Sequence, residues 1–386
     1  MGVHRIATIA ILLCSVFLAV GSGLAQSRVR GVSLLPIAPL WSRELPFGDS
    51  VRLVIGESRV LIATDARIDA LSWATGDPAW ISELATTVPP LVHDGRVFAA
   101  AEDQIHALTE LTGRVEWRLP VGPVKVPLVY RAGWLFVVGE NGKLRGVRAA
   151  DGVVIWEASA ASTNWALQPV VDGDSVFGLS TGGVLTAWRV SDGSQLWQVQ
   201  ATPEPVAMLP AHGHVYIATN GRLTSYRQTD GARRWSYEVE MPIVSRLAAD
   251  LTHVYLATVD NSVRAHRASN GHLVWKRIVD ARVVDGLTAD GSHVLVPQSD
   301  GTVRFMLTET GVRAGQLNAP GEEARGATAI ATSGYGPTLR IVRMTVSDTA
   351  ARRVETFMRQ SRVVTAATSL IGTPVPLSPP PVVKRP

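Results

Sequence analysis

Cysteine is almost missing from this chain of 386 residues: the one that occurs, Cys14, lies inside the first apolar stretch. A single thiol excludes an internal disulfide framework, a cysteine-built metal site and paired-thiol redox chemistry. Lysine is nearly as scarce, since 33 of the 37 basic residues are arginine and lysine stands only at 125, 143, 276 and 384. Charged residues make up only 18% of the chain, the formal net charge is +4, and the mean hydropathy is +0.15. That balance excludes a solvated, disordered protein. So small and scattered a positive surplus also gives no footing for nucleic acid. His-Glu-x-x-His and the phosphate-binding glycine loop do not occur, which removes the usual signatures of zinc proteases and P-loop enzymes.

Long apolar runs are confined to the N-terminus. Arg5 precedes an apolar stretch at 6–20, and Gly23-Leu24-Ala25 puts small residues at the −3 and −1 positions of a cleavage site. This is the layout of a secretory signal peptide removed after Ala25. The rival reading is an uncleaved anchor, because residues 6–24 are nearly long enough to span a bilayer. Leu13 stands before Cys14 where a lipoprotein signal would carry a small residue, so anchoring through Cys14 is not expected. The expected organisation is a signal peptide at 1–25, a lead-in at 26–39, a folded domain at 40–362 and an extended tail at 363–386. Prolines at 374, 376, 379, 380, 381 and 386 bar that tail from a sheet.

The folded domain is a repeat. Gly76, Gly113, Gly152, Gly193, Gly231, Gly271 and Gly311 recur at intervals of 37–41 residues. Four residues after each of the first six stands a tryptophan: Trp80, Trp117, Trp156, Trp197, Trp235 and Trp275. Eight residues before each glycine is an aliphatic residue: Ile68, Ile105, Leu144, Leu185, Leu223, Val263 and Val303. The aliphatic-x-small stretch alternates as a half-buried strand does. The Thr, Asp or Asn before each glycine points to a tight hairpin turn with positive φ. Two further apolar runs upstream give four short antiparallel strands per repeat, the content of a propeller blade. Pro297 falls inside one strand and predicts an irregularity there.

Trp41 stands 39 residues before Trp80, in register but without three strands ahead of it. It therefore predicts an outermost strand at 40–45 whose partners come from the C-terminal runs 326–333, 339–346 and 353–358. The fold class is all-β: an eight-bladed propeller of four-stranded antiparallel blades, closed by N- and C-terminal strands. A seven-bladed ring with an orphan strand is the alternative.

The unit seen in Ile105-His106-Ala107-Leu108 through Gly113 to Trp117 resembles the pyrroloquinoline-quinone-like propeller repeat. Within that superfamily, length, signal peptide and blade count look like the non-catalytic outer membrane assembly factor BamB and its relatives. The resemblance implies an exported, protein-binding scaffold at the periplasmic face of the outer membrane. Its implied partners are envelope proteins such as the β-barrel assembly machinery, with no transmembrane span, no nucleic acid and no cofactor, and the domain monomeric by itself. The other branch, the quinoprotein dehydrogenases, is the alternative. It implies a quinone held between a tryptophan and bridged cysteines beside calcium and a catalytic aspartate, but no cysteine follows position 14. Asp65, Asp94, Asp151, Asp192 and Asp230 are turn residues by their spacing. His214, His253 and His293 share one repeat position and so lie on successive blades, not around one metal.

The repeat tryptophans are expected to pack between blades, not to bind a ligand. The connections at 157–168, 198–209 and 238–247 are longer and lack simple turn signals. Trp165, Met208, Met241 and Arg246 on them are the candidate partner-binding residues, with Trp165 the expected exposed aromatic.

Overall fold

Seven repeats of one local device generate most of the structure. In each, the third strand ends four residues before the glycine, and the glycine N–H donates back to that carbonyl, as Gly76 does to Ser72 and Gly193 to Arg189, both at 2.9 Å. The side chain ahead of the glycine accepts from the amide after it: Asp192 from Ser194 at 2.9 Å, Asp230 from Ala232 at 3.0 Å, Asn270 from His272 at 3.1 Å. The turn is thus a four-residue loop ending in a left-handed glycine, with φ between +66° and +77° in all seven. The tight hairpin turn with positive φ expected from sequence is present; its loop has four residues, not the two of a type I′ turn, which would need positive φ at both central residues. In each repeat the outer strand then carries a bulge just before the tryptophan position, seen as a register shift between Ala187 and Trp188 or Ala265 and His266.

The computed structural model describes residues 37–45, 51–159, 164–284, 286–318, 324–333, 338–347 and 352–359. The expected signal peptide with Cys14, most of the lead-in, residues 334–337 and the Pro-rich stretch at 363–386 lie outside them. The described residues form eight four-stranded antiparallel sheets. Blades 1 to 7 follow in chain order, from Arg52–Ile55 as the inner strand of blade 1 to Arg313–Leu317 as the outer strand of blade 7. Blade 8 is composite: Ala324–Ser333, Arg340–Ser347 and Arg352–Arg359 come from the C-terminal side, and Ile37–Leu45 supplies the outer strand. Trp41 pairs with Thr356 and Ile37 with Arg359. The expected closure is therefore present, and the seven-bladed alternative is not. The strand containing Pro297 keeps regular register with its neighbour, because Pro297 is its last residue and its carbonyl still accepts from Val284.

Each tryptophan joins two blades. Its indole lies against the turn glycine of the next blade, so closely that a Cβ on Gly193 would stand 2.4 Å from Trp156 and one on Gly76 2.6 Å from Trp41. Its Nε1 donates to the carbonyl three residues before that glycine: Trp41 to Trp73, Trp80 to Glu110, Trp117 to Ala149, Trp156 to Val190, Trp197 to Gln228, Trp235 to Ala268 and Trp275 to Thr308. Within its own blade it faces the small residue of the repeat, as Trp117 faces Ala107 and Trp197 faces Ala187.

Blade 7 lacks the tryptophan and reverses the sizes. Gly315 occupies its place, and the facing residue is Phe305, which packs with Ile330, Ile341 and Phe357 of blade 8. Arg343 of blade 8 completes this seam, donating to the carbonyls of Gly301 (2.9 Å) and Asn318 (2.6 Å) and to Glu355 (2.8 Å).

At the dock of Trp235, His266 is fully buried beneath the turn, with Nδ1 2.9 Å from the Gly271 carbonyl. Burial pushes its pKa down to about 4, although that carbonyl favours the charged form. A histidine held neutral in the fold binds its proton more readily unfolded, so stability falls as pH drops from about 6.5 towards about 4. The loss is about 3 kcal/mol at ~1.36 kcal/mol per unit. His266→Met, taking the residue blade 7 uses at this position, should flatten the stability profile over that window in denaturant melts. Trp197→Ala should cost about 3–5 kcal/mol as a buried aromatic truncation. The Phe305→Ala/Gly315→Trp double variant should be more stable than either single one if the size reversal is a true compensation.

Candidate partner-binding face

Antiparallel order assigns every loop to one of two faces. The turns between first and second strands and the glycine turns share one face. The turns between second and third strands and the connections between blades share the other, called here the connection face. In blade 8 the pairing of Ile37 with Arg359 stands where the other blades have the glycine turn. Both ends of the ring therefore leave from the turn face.

Of the four sequence candidates, Met241 is the one that the structure places on a connection with an exposed apolar side chain. It is 39% exposed, and Val244 (39%) and Val259 (56%) are its neighbours through the Ile243–Thr258 bridge and the Val259 N–H bond to Pro242. Val206, 43% exposed, occupies in blade 5 the position that Val244 holds in blade 6. These valines gave no sequence signal, because the residues beside them in the repeat are buried aliphatics of the same type.

Trp165 is not the exposed aromatic expected. It is half-buried, donates Nε1 to the Gly142 carbonyl at 2.8 Å and stacks on Trp188 at 5.9 Å. Both rings fill the space above Gly178, where a Cβ would meet Trp165 at 2.3 Å. Met208 lies within an inner strand, Pro205–Ala211, and packs against the core of blades 4 and 5. Arg246 stands on the wall of the central channel, with its Cβ against Gly286.

Charged groups fix the connections around the valine patch. Buried Arg264 places Nη2 3.8 Å from both Glu240 and Asp260, and Arg304 pairs with Asp280. The Asp260 carboxylate, though burial pushes its pKa up, is held well below the usual range by Thr258, Ser262 and Lys276. It locks the turn that carries Val259. His214, His253 and His293 each open a second strand on successive blades. Among the described residues no three His, Cys, Asp or Glu side chains gather around one point.

The structure of BamB from Moraxella catarrhalis matches with a TM-score of 0.61 at 16% identity, covering 84% of this chain and 98% of that one. Quinohemoprotein alcohol dehydrogenase from Comamonas testosteroni matches with 0.61 at 12% identity, covering 87% and 78%. The corresponding enzyme ADHIIG from Pseudomonas putida HK5 gives 0.59 at 12%, covering 90% and 79%. Identities this low establish a shared fold alone. No curated protein matches the chain. The family model described as outer membrane protein assembly factor BamB matches residues 26–237 and 220–342, well over half of the sequence, and the chain belongs to that family.

Proposed function

We propose that this protein is a non-catalytic, exported scaffold that binds a protein partner of the cell envelope through the connection face of blades 5 and 6. The observation that carries the reading is the exposed set Met241, Val244 and Val259 of blade 6, beside the Arg264–Asp260 pair, with Val206 exposed at the matching place in the inner strand of blade 5. Apolar side chains rigidly presented within a charged rim are the anatomy of a protein interface. The family's described role, outer membrane protein assembly, supplies the setting. Export by a signal peptide cut after Ala25, residence at the periplasmic face of the outer membrane without a lipid on Cys14, and a monomeric propeller complete the proposal. The ends of the ring leave from the opposite face, so a tether at either end would leave the connection face open.

Met241→Asp and Val259→Asp should each reduce crosslinking of the partner in intact cell envelopes by about tenfold or more, with melting temperature nearly unchanged. Normal capture by both would overturn the assignment of this face. Trp165→Ala should instead lower stability, since it opens the Gly178 site. Mixed with pyrroloquinoline quinone and calcium, the protein should show no calcium-dependent binding and no alcohol oxidation. A turnover abolished by one Asp substitution would overturn the non-catalytic reading.

A further inference from the structure

Three Asn-Gly steps lie in described turns: Asn141-Gly142, Asn220-Gly221 and Asn270-Gly271. By sequence they are equals, since glycine has no Cβ to hinder attack of its own nitrogen on the preceding side chain. The structure separates them by what holds the glycine peptide. Gly271 donates its N–H to the Arg267 carbonyl at 2.8 Å and accepts from His266 Nδ1 at 2.9 Å. The Asn270 side chain is held as well, its Oδ1 accepting from His272 at 3.1 Å. Gly142 donates to the Gly139 carbonyl at 3.0 Å and accepts from Trp165 Nε1 at 2.8 Å.

Gly221 is held on one side alone. Thr219 pairs with Arg222, so Asn220 and Gly221 make up the whole turn, with Gly221 at φ +86°. Its carbonyl accepts from Val239 at 2.8 Å. Among the described residues its N–H has no acceptor, and the exposed Asn220 side chain has no hydrogen-bond partner. Such an N–H can lose its proton without a bond being broken, and a free side chain can bring its Cγ over the nitrogen.

We propose that Asn220 is a site of spontaneous deamidation. The Gly221 nitrogen gives its proton to hydroxide and attacks Asn220 Cγ. The new N–Cγ bond closes a cyclic imide as the Cγ–Nδ2 bond breaks, and Nδ2 takes up a proton and leaves as ammonia. Water then opens the imide at either carbonyl. Opening at Cγ gives aspartate; opening at the main-chain carbonyl gives isoaspartate, with the side-chain methylene now in the backbone. Either product places a new carboxylate on the connection face of blade 5, next to Thr219, whose strand partner Pro205 precedes Val206. The site itself does not rest on the partner-binding reading.

Incubation of the whole protein in mildly alkaline buffer, followed by peptide mapping and mass spectrometry, tests it. The peptide carrying Asn220 should gain the mass of deamidation at least tenfold faster than those carrying Asn141 and Asn270, whose glycine peptides must first break hydrogen bonds. Its rate should rise in proportion to hydroxide. Asp-N protease cleaves before aspartate but not before isoaspartate, so a resistant fraction should appear at position 220. In urea the three rates should converge, because all are then Asn-Gly in an open chain. Asn220→Gln should abolish the product at that position, since closure would need a larger ring. Equal rates at the three sites in the folded protein would overturn the proposal. So would an Asn220 rate in the folded protein at least tenfold below its rate in urea.

Discussion

One indole, placed between two blades, sets the terms for the rest of this propeller. Its face needs a neighbour with no side chain, its nitrogen needs a carbonyl three residues upstream of that neighbour, and its back needs a small residue on its own blade. The glycine meets the first demand twice over. It adopts φ near +70°, which side chains disfavour, and it leaves room for ring atoms that would stand 2.4–2.7 Å from a Cβ. The carbonyl is presented because the four-residue turn folds it outward toward the preceding blade. The bulge just before each tryptophan re-aims the outer strand, as bulges do. Period, glycine, small residue and bulge are thus consequences of a single contact, repeated at seven of the eight seams. Each buried indole removes ~150–250 Å² from water, and the seams hold without a disulfide.

Two departures show that the constraint is one of volume, not of residue identity. At the seam between blades 7 and 8 the large and small partners exchange strands, with Phe305 opposite Gly315. In blade 4 a glycine, Gly178, stands in a second strand where other blades carry Ile217, Leu256 or Val296. There the missing volume is filled from outside the strand by Trp165 and Trp188. A close-packed interior tolerates either solution because it counts filled space, provided that polar ends such as the Trp165 Nε1 find an acceptor.

Legibility in the sequence follows the same division. Blade number and composite closure could be read because the dock forces fixed offsets, so Trp41 announced an outer strand before any partner was visible. The tight positive-φ turn could be read but its length could not, since Asp-Gly and Asn-Gly occur both in two-residue hairpins and at the end of longer loops. Trp165 was misplaced because a connection without turn signals looks free. Gly178 was the available clue, a strand glycine that marks the close approach of something else. Met208 was lost to an inner strand that in blade 5 runs seven residues, where blades 6 and 7 keep two. The valines of the connection face could not have been found, because exposure there depends on which face of a short bridge points outward. Arg246 was found as a residue but not as a place: its position on the channel wall depends on blades far from it in sequence.

The closing seam has a different chemistry for a physical reason. Blade 8 is built from both ends of the chain, so its outer strand must find residues more than 300 positions away, as Trp41 finds Thr356. Apolar surfaces at such a seam would accept several offsets with little penalty. Arg343 narrows them, because its guanidinium reaches two carbonyls of blade 7 and Glu355 of its own blade in one geometry. Arg340 does the same at the next seam, donating to the carbonyls of Gly56 and Glu57 while its guanidinium lies over the Trp73 ring at 4.8 Å. Buried charge that loses its partners on a one-residue slip penalises that slip heavily. The indoles therefore hold the blades together, and the two arginines fix the register in which the ring closes.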